Sequence, residues 1–229
     1  IHWIKNASVD YFPTGNYRQL YQPPFAEYTI AHINMLAGHD YFSFFVQWFF
    51  WLSSGVVASL IAAAFNLSRK YQLIAALFVI TLPVAVTESS TTQNDIVQAF
   101  WVIAAAYLAL ESIRNNSVKD ALWLGIASGI CLLTKGTAYI LLFPVLLIWG
   151  IAVLRKIFRE KRPKWFGYAV ITTLILLSIN AGHYTRNIKL SGHPLGVTEK
   201  LQHSYSNNRF SAEVLGSNII RNIAVHFAS

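Results

Sequence analysis

The sequence predicts an all-α protein, a polytopic membrane helix bundle with an outward amphipathic helix lying beside it. Three observations carry this. Of 229 residues, 55% are hydrophobic and 12% charged, with a mean hydropathy of +0.43. Soluble domains carry about 25% charged residues, so this chain lacks the charge to coat a soluble surface. Six apolar runs lie near 44–65, 72–86, 96–110, 121–134, 138–154 and 166–181. Finally, the net charge of +8 is gathered into alternate connections between those runs.

Residues 1–24 are aromatic, polar and Pro-bearing, with turn chemistry at Pro13-Thr14-Gly15-Asn16. Pro23-Pro24 stands where a helix should begin, because Pro is tolerated in a first turn. From Phe25 to Leu36, apolar Phe25, Tyr28, Ile33 and Leu36 alternate with Glu27, His32 and Asn34. This suits an amphipathic helix on the membrane face, ended by Gly38-His39-Asp40. The first apolar run exceeds the roughly 20 residues that span a bilayer. The other five are shorter, and flanking Ser, Thr, Tyr and Trp extend them, the aromatic residues forming a belt at the span ends.

Pro83 should kink or end the second helix. Behind it comes a polar island, Thr87-Glu88-Ser89-Ser90-Thr91-Thr92-Gln93-Asn94-Asp95. Asp95 stands directly before the third run, where Asp makes a good helix N-cap. The connection at 135–137 is short enough to require antiparallel packed neighbours. Gly55, Gly125 and Gly129 permit close helix packing, and Cys131, the lone cysteine, is expected as a small core residue. Residues 182–229 are broken by Gly and Pro, with a helix expected near 211–227. The chain divides into an outward loop with an interfacial helix at 1–43, a bundle of six helices at 44–186, and a further outward region at 187–229. With no signal peptide at its start, it reads as a piece of a longer polytopic protein.

Charge gives the orientation. Arg69 and Lys70 follow the first run, Arg114 and Lys119 the third, and Arg155, Lys156, Arg159, Lys161, Arg162 and Lys164 the fifth. The intervening connections 87–95 and 135–137 hold only Lys135 among cations. This is the positive-inside asymmetry, and it makes the basic side cytoplasmic. A basic charge distributed this way serves topology, which sets nucleic acid aside as a partner. The scarcity of cysteine and the short island suit a bacterial inner membrane.

The outward rim gathers chemistry. Two candidate catalytic carboxylates, Glu88 and Asp95, lie in the island. Lys135 closes the fourth run, His183 and Arg186 close the sixth, and Arg18, Gln22 and Glu27 surround the Pro-Pro turn. An ionisable group at the membrane edge marks a functional site. Lys and Arg hold phosphate oxygens, and a carboxylate takes a proton from a hydroxyl or holds a divalent cation, for which Asp95 is the candidate ligand. Competing with these roles are a helix cap for Asp95, a snorkelling cation for Lys135, a solvated loop acid for Glu88 and interfacial anchors for His183 and Arg186. His32, His39 and Asp40 lack metal-ligand spacing.

Four motifs in order carry a family resemblance: Gln22-Pro23-Pro24 leading an amphipathic helix, Thr92-Gln93-Asn94-Asp95 opening a span, Leu133-Thr134-Lys135-Gly136 closing one, and the tail from Arg186 to Leu195. Together they resemble the C-superfamily membrane glycosyltransferases, which include the dolichyl-phosphate-mannose protein mannosyltransferases and the bacterial aminoarabinose transferases. The resemblance implies a polyprenyl-phosphate sugar donor and a lipid, glycan or protein acceptor on the outward side. It maps a family acid onto Asp95 and a family cation onto Lys135. The family's other acidic motif would lie upstream of Ile1.

Two rival classes remain open at this level. A transporter or lipid flippase would place ionisable groups near the middle of spans, whereas here the interiors of all six runs lack Asp, Glu, Lys and Arg. A non-catalytic membrane scaffold would use the same helices without a site.

Overall fold

The computed structural model describes residues 2–196 and 211–227, and among them every regular element is a helix. In chain order these are α1 (His2–Asn6), α2 (Arg18–Tyr21), α3 (Phe25–Ala37), α4 (Phe45–Ala64), α5 (Arg69–Ile80), α6 (Pro83–Ser89), α7 (Asp95–Asn115), α8 (Val118–Thr134), α9 (Ala138–Phe158), α10 (Lys164–Ser191) and α11 (Ala212–Phe227). The protein is an all-α membrane helix bundle.

Four helices (α4, α7, α9 and α10) are long and apolar enough to cross a membrane, and α5 with α6 adds a fifth if the bent pair counts as one span. At 17 residues, α8 falls just short of that length. All six apolar runs fold as helices, one of them short and one broken. The break follows from Pro83, which has no N–H to give. It becomes the first residue of α6, and α5 and α6 meet at 61°. The Trp51 indole N–H donates to the Ile80 carbonyl at 3.1 Å, covering an acceptor at the C-terminal end of α5. The break also draws Thr87, Glu88 and Ser89 into a helix, so the polar island is only partly loop.

α7 is the centre of the bundle, packed against α4 on one side and α8 and α9 on the other. One core gathers Leu124, Cys131, Leu142, Trp149 and Trp165; a second gathers Ala26, Val46, Phe50, Ile96 and Val97. Cys131 is fully buried, as expected. Trp165, expected in an aromatic belt, is buried as well, because it packs inward at the start of α10. Gly125 and Gly129 let α8 and α10 approach closely: a Cβ on Gly125 would lie 2.9 Å from the Thr172 carbonyl oxygen, and one on Gly129 would lie 2.8 Å from Ile179 Cδ1. Between helices in lipid such contact supplies much of the association energy. Apolar side chains such as Phe49, Leu73, Phe143 and Ile148 are exposed around the outside, a surface that suits acyl chains and not water.

Alternating helices sort the connections onto two ends. At one end Arg114 Nη1 donates to the Ala64 carbonyl at 2.6 Å and the Tyr168 hydroxyl donates to the Asn116 carbonyl at 3.2 Å, so the basic connections converge. At the other end lie α3, the 90–94 turn and the 135–137 turn. α3 begins after Pro24 and stops at Gly38, whose φ of +75° forms a left-handed cap with its N–H on the Asn34 carbonyl. Ala26 is buried under it, and Phe25 meets Trp101 edge-on at 6.1 Å.

Candidate active site

A cleft of about 860 Å³ is lined by α3, the start of α7, Lys135 after α8 and residues of the first 22. Its chemistry is set by a few side chains: Arg18, Gln22, Glu27, Asp40, Asp95 and Lys135. Five of the eight residues singled out from sequence therefore reach one cavity, although they come from three separate parts of the chain.

Asp95 is the first residue of α7, and Asn94 holds the cap position without a side-chain cap bond. The Asp95 carboxylate is instead engaged across the cleft: Lys135 Nζ donates to Asp95 Oδ1 at 2.6 Å. The helix-cap reading of Asp95 is thereby corrected. Lys135 sits just beyond the end of α8 with extended backbone (φ −160°, ψ 145°), which turns its side chain back toward α7. The pair is partly solvated, with 45% of the Asp95 and 25% of the Lys135 side chain exposed. Pairs this open contribute about 0–1 kcal/mol to stability, so folding alone gives little reason for it.

The cap that Asp95 does not supply comes from another helix. Gln47 of α4 is completely buried, and its Oε1 accepts from the backbone N–H groups of Ile96 and Val97 at 3.1 and 3.2 Å. Its Nε2 donates to the Glu88 carbonyl and the Thr91 hydroxyl, both at 3.4 Å. The first amides of a helix have no partner within it, and here a remote side chain satisfies two of them. Gln47 thus fixes the start of α7, and with it Asp95. Asn94 makes the second tie: its Nδ2 donates to Glu27 Oε1 at 3.2 Å and to the Thr134 carbonyl at 3.4 Å, linking α3 to the end of α8.

Glu27 is exposed to the cleft yet enclosed by protein on its other sides, and desolvation is the largest influence on its carboxyl, raising its pKa. A hydrogen bond from its own backbone, the Asn94 hydrogen bond and the Lys135 charge pull weakly the other way.

Three expected site residues fall elsewhere. Glu88 lies on α6 outside the cleft wall, where its Oε2 accepts from the Thr91 hydroxyl at 3.3 Å. Arg186 of α10 stacks on the Tyr11 ring (4.6 Å) and the Trp3 ring (5.7 Å), and the Tyr11 hydroxyl donates to the Arg186 carbonyl. His183 is buried beside Asn187, whose Nδ2 approaches His183 Nε2 at 3.1 Å and donates to the Tyr21 and Pro194 carbonyls, both at 3.1 Å. Arg186 and Asn187 therefore clamp the first 22 residues onto α10, with His183 packed behind Asn187. Sequence reasoning overlooked Gln47, and it named Asn94 and Asp40 without giving either a place in the site. A lone Gln inside the aromatic run Phe44–Trp51 was the available signal, because a buried polar group must find partners.

Among the described residues no group of three or more His, Cys, Asp or Glu converges as a metal site would.

A helix bundle of this kind, with a charged cleft at the ends of its helices, has the frame of an integral-membrane enzyme. The sequence narrows that class: the family model for dolichyl-phosphate-mannose-protein mannosyltransferases matches residues 11–191. The chain belongs to this family of membrane glycosyltransferases. Comparison with curated proteins and with solved structures returned no match.

Proposed function

We propose that the protein transfers a sugar from a polyprenyl-phosphate donor to an acceptor in the cleft, on the outward face of the membrane. The observation that carries this is the Asp95–Lys135 pair, an ammonium held in a polar cleft by a carboxylate from another helix. Lys135 meets the donor phosphate, and the negative charge that grows on the leaving phosphate is stabilised by a cation already in place. Asp95 acts through Lys135, fixing where that cation stands. Gln47 and Asn94 hold both against the ends of α7 and α8. The donor's isoprenoid chain remains among the lipids at the apolar flank of the bundle.

Sidedness rests on charge. The cleft lies at the end opposite the basic connections, and positive residues favour the cytoplasm. A bacterial inner membrane with the cleft facing the periplasm accommodates this arrangement. The transporter reading loses ground because the four long helices carry their Asp, Glu, Lys and Arg at or near their ends.

The test is donor choice. Native membranes carrying the protein are offered radiolabelled polyprenyl-phosphate mannose or a nucleotide-linked mannose, and label on lipid, glycan and protein is followed. Transfer from the lipid-linked donor alone is expected. Direct transfer from the nucleotide sugar, with no lipid-linked intermediate, would overturn the proposal.

A further inference from the structure

We infer that the wall of the cleft formed by the first 22 residues is a saccharide-binding subsite, and that the acceptor it holds is the neutral sugar end of a glycan. This rests on the cleft being the transfer site and names what stands opposite the donor there.

The wall joins a fixed aromatic face to a set of carboxamides. Trp3 lines the cleft, and its ring is held from several sides. The indole N–H donates to the Asp10 carbonyl at 3.2 Å, and the Arg186 guanidinium lies 5.7 Å from the ring centre. Tyr28 and Phe12 pack against the same ring at 5.2 and 6.3 Å. Phe12 also lines the cleft, with the His2 ring 5.0 Å away. An aromatic ring fixed before its ligand arrives loses little freedom on binding. One face of a pyranose carries only C–H groups, apolar and slightly positive, and these suit the negative face of such a ring.

The polar groups match the rest of a sugar. Asn16, Gln19, Gln22, Asn34, Gln93 and Asn94 bring carboxamides to the cleft. A carboxamide is both donor and acceptor, as a hydroxyl is. Three of them are anchored by their oxygens. Asn16 Oδ1 accepts from the Arg18 backbone N–H at 3.2 Å, Gln19 Oε1 from the Thr14 hydroxyl at 2.8 Å, and Asn34 Oδ1 from the Ser43 hydroxyl at 2.9 Å. Their NH2 groups, and the whole Gln22 side-chain amide, make no hydrogen bond among the described residues and are left for a ligand.

Other acceptors fit less well. Glu27, Asp40 and Asp95 stand against Arg18 and Lys135 around the cleft, so there is no surplus of positive charge to hold an anionic headgroup besides the donor phosphate. Main-chain pairing with an extended polypeptide needs a strand edge, and every regular element among the described residues is a helix. At about 860 Å³ the cleft lies near the top of the roughly 300–1,000 Å³ range of ligand pockets, which leaves room for an acceptor sugar beside the donor's.

The donor also carries a pyranose, so the experiment separates the two sources. Native membranes carrying the protein are given radiolabelled polyprenyl-phosphate mannose, and linkage analysis of the product shows what the label is joined to. Label joined to another sugar is expected. Wild type, Trp3→Ala, Trp3→Phe and Gln22→Ala are then titrated with glycan released from the same membranes at saturating donor, and with donor at saturating glycan. The glycan KM should rise roughly 10–100-fold in Trp3→Ala, recover in part in Trp3→Phe, and rise about 3- to 10-fold in Gln22→Ala. The donor KM should stay within about twofold throughout. Gln22 has no side-chain bond to lose, so Gln22→Ala should unfold at the wild-type temperature and reads the subsite independently of how Trp3→Ala folds. Label released from protein as single mannose units by alkaline elimination would overturn the inference. So would a glycan KM unchanged in Gln22→Ala and Trp3→Phe, or a rise in the donor KM alone, which would assign the wall to the donor sugar. Each of these leaves transfer from the lipid-linked donor standing, whereas a silent wild type would overturn both.

Discussion

The two ends of the bundle are both rich in charge, but they hold it differently. At the basic end the ion pairs are local: Arg114 with Glu111 at three residues' separation, Lys156 with Glu160 at four, and Arg162 with the same Glu160. The remote ties there, from Arg114 to the Ala64 carbonyl and from Tyr168 to the Asn116 carbonyl, join no pair of charges. At the cleft end the ion pair itself is remote, and neutral groups add further long-range ties. Lys135 and Asp95 are 40 residues apart, Asn94 and Glu27 are 67 apart, and Gln47 reaches amides 49 and 50 residues away. Local pairs within a helix contribute about 0.2–0.5 kcal/mol each and need no tertiary geometry. That suffices for an end whose work is to stay on one side of the membrane. Remote pairs fix the relative positions of four helices, α3, α4, α7 and α8, as a pre-organised site requires.

The contrast is broken or sharpened first at the helix caps. Gln47→Leu leaves two buried amides of α7 without acceptors and should cost about 2–4 kcal/mol. Ser117→Ala removes a local cap at the basic end, where Ser117 Oγ accepts from the Lys119 N–H at 3.2 Å, and should cost about 1 kcal/mol. Thermal unfolding of the two variants in detergent checks the order, and equal costs would remove the distinction between the ends. Lysines give the next comparison. Lys135→Ala should weaken use of the lipid-linked donor roughly 10- to 100-fold, since a hydrogen bond to a charged group contributes about 1.5–3 kcal/mol. Lys156→Ala, at the opposite end, should leave transfer unchanged. Donor titrations on both variants decide, and a matching loss in Lys156→Ala would mean that net charge matters and the cleft does not.

What was legible in the sequence follows the same divide. Apolar runs, Pro83, Gly38 and the basic connections are local signals, and each produced the element expected of it, including the break at Pro83 between α5 and α6. Gly125 and Gly129 were legible too, because small residues four apart announce close packing. The site was legible by level along the chain and not by direction. Asp95 and Lys135 were placed at the correct rim, but their pairing depends on α7 and α8 lying side by side. Glu88 was displaced because Pro83 restarts a helix and turns that carboxylate toward Thr91. His183 and Arg186 lie at the expected end of α10, but Arg186 is occupied by Trp3 and Tyr11, and His183 is buried beside Asn187. Gln47 was missed because nothing around it in sequence names a partner almost 50 residues away.

The most direct test uses Asp95→Asn in native membranes with radiolabelled polyprenyl-phosphate mannose, alongside its thermal unfolding. The pair is too solvated to matter for stability by more than about 1 kcal/mol, while a misplaced Lys135 should slow transfer about 100-fold. The account predicts a correctly inserted variant with wild-type stability and transfer reduced on that scale. Wild-type transfer rates in Asp95→Asn would contradict it.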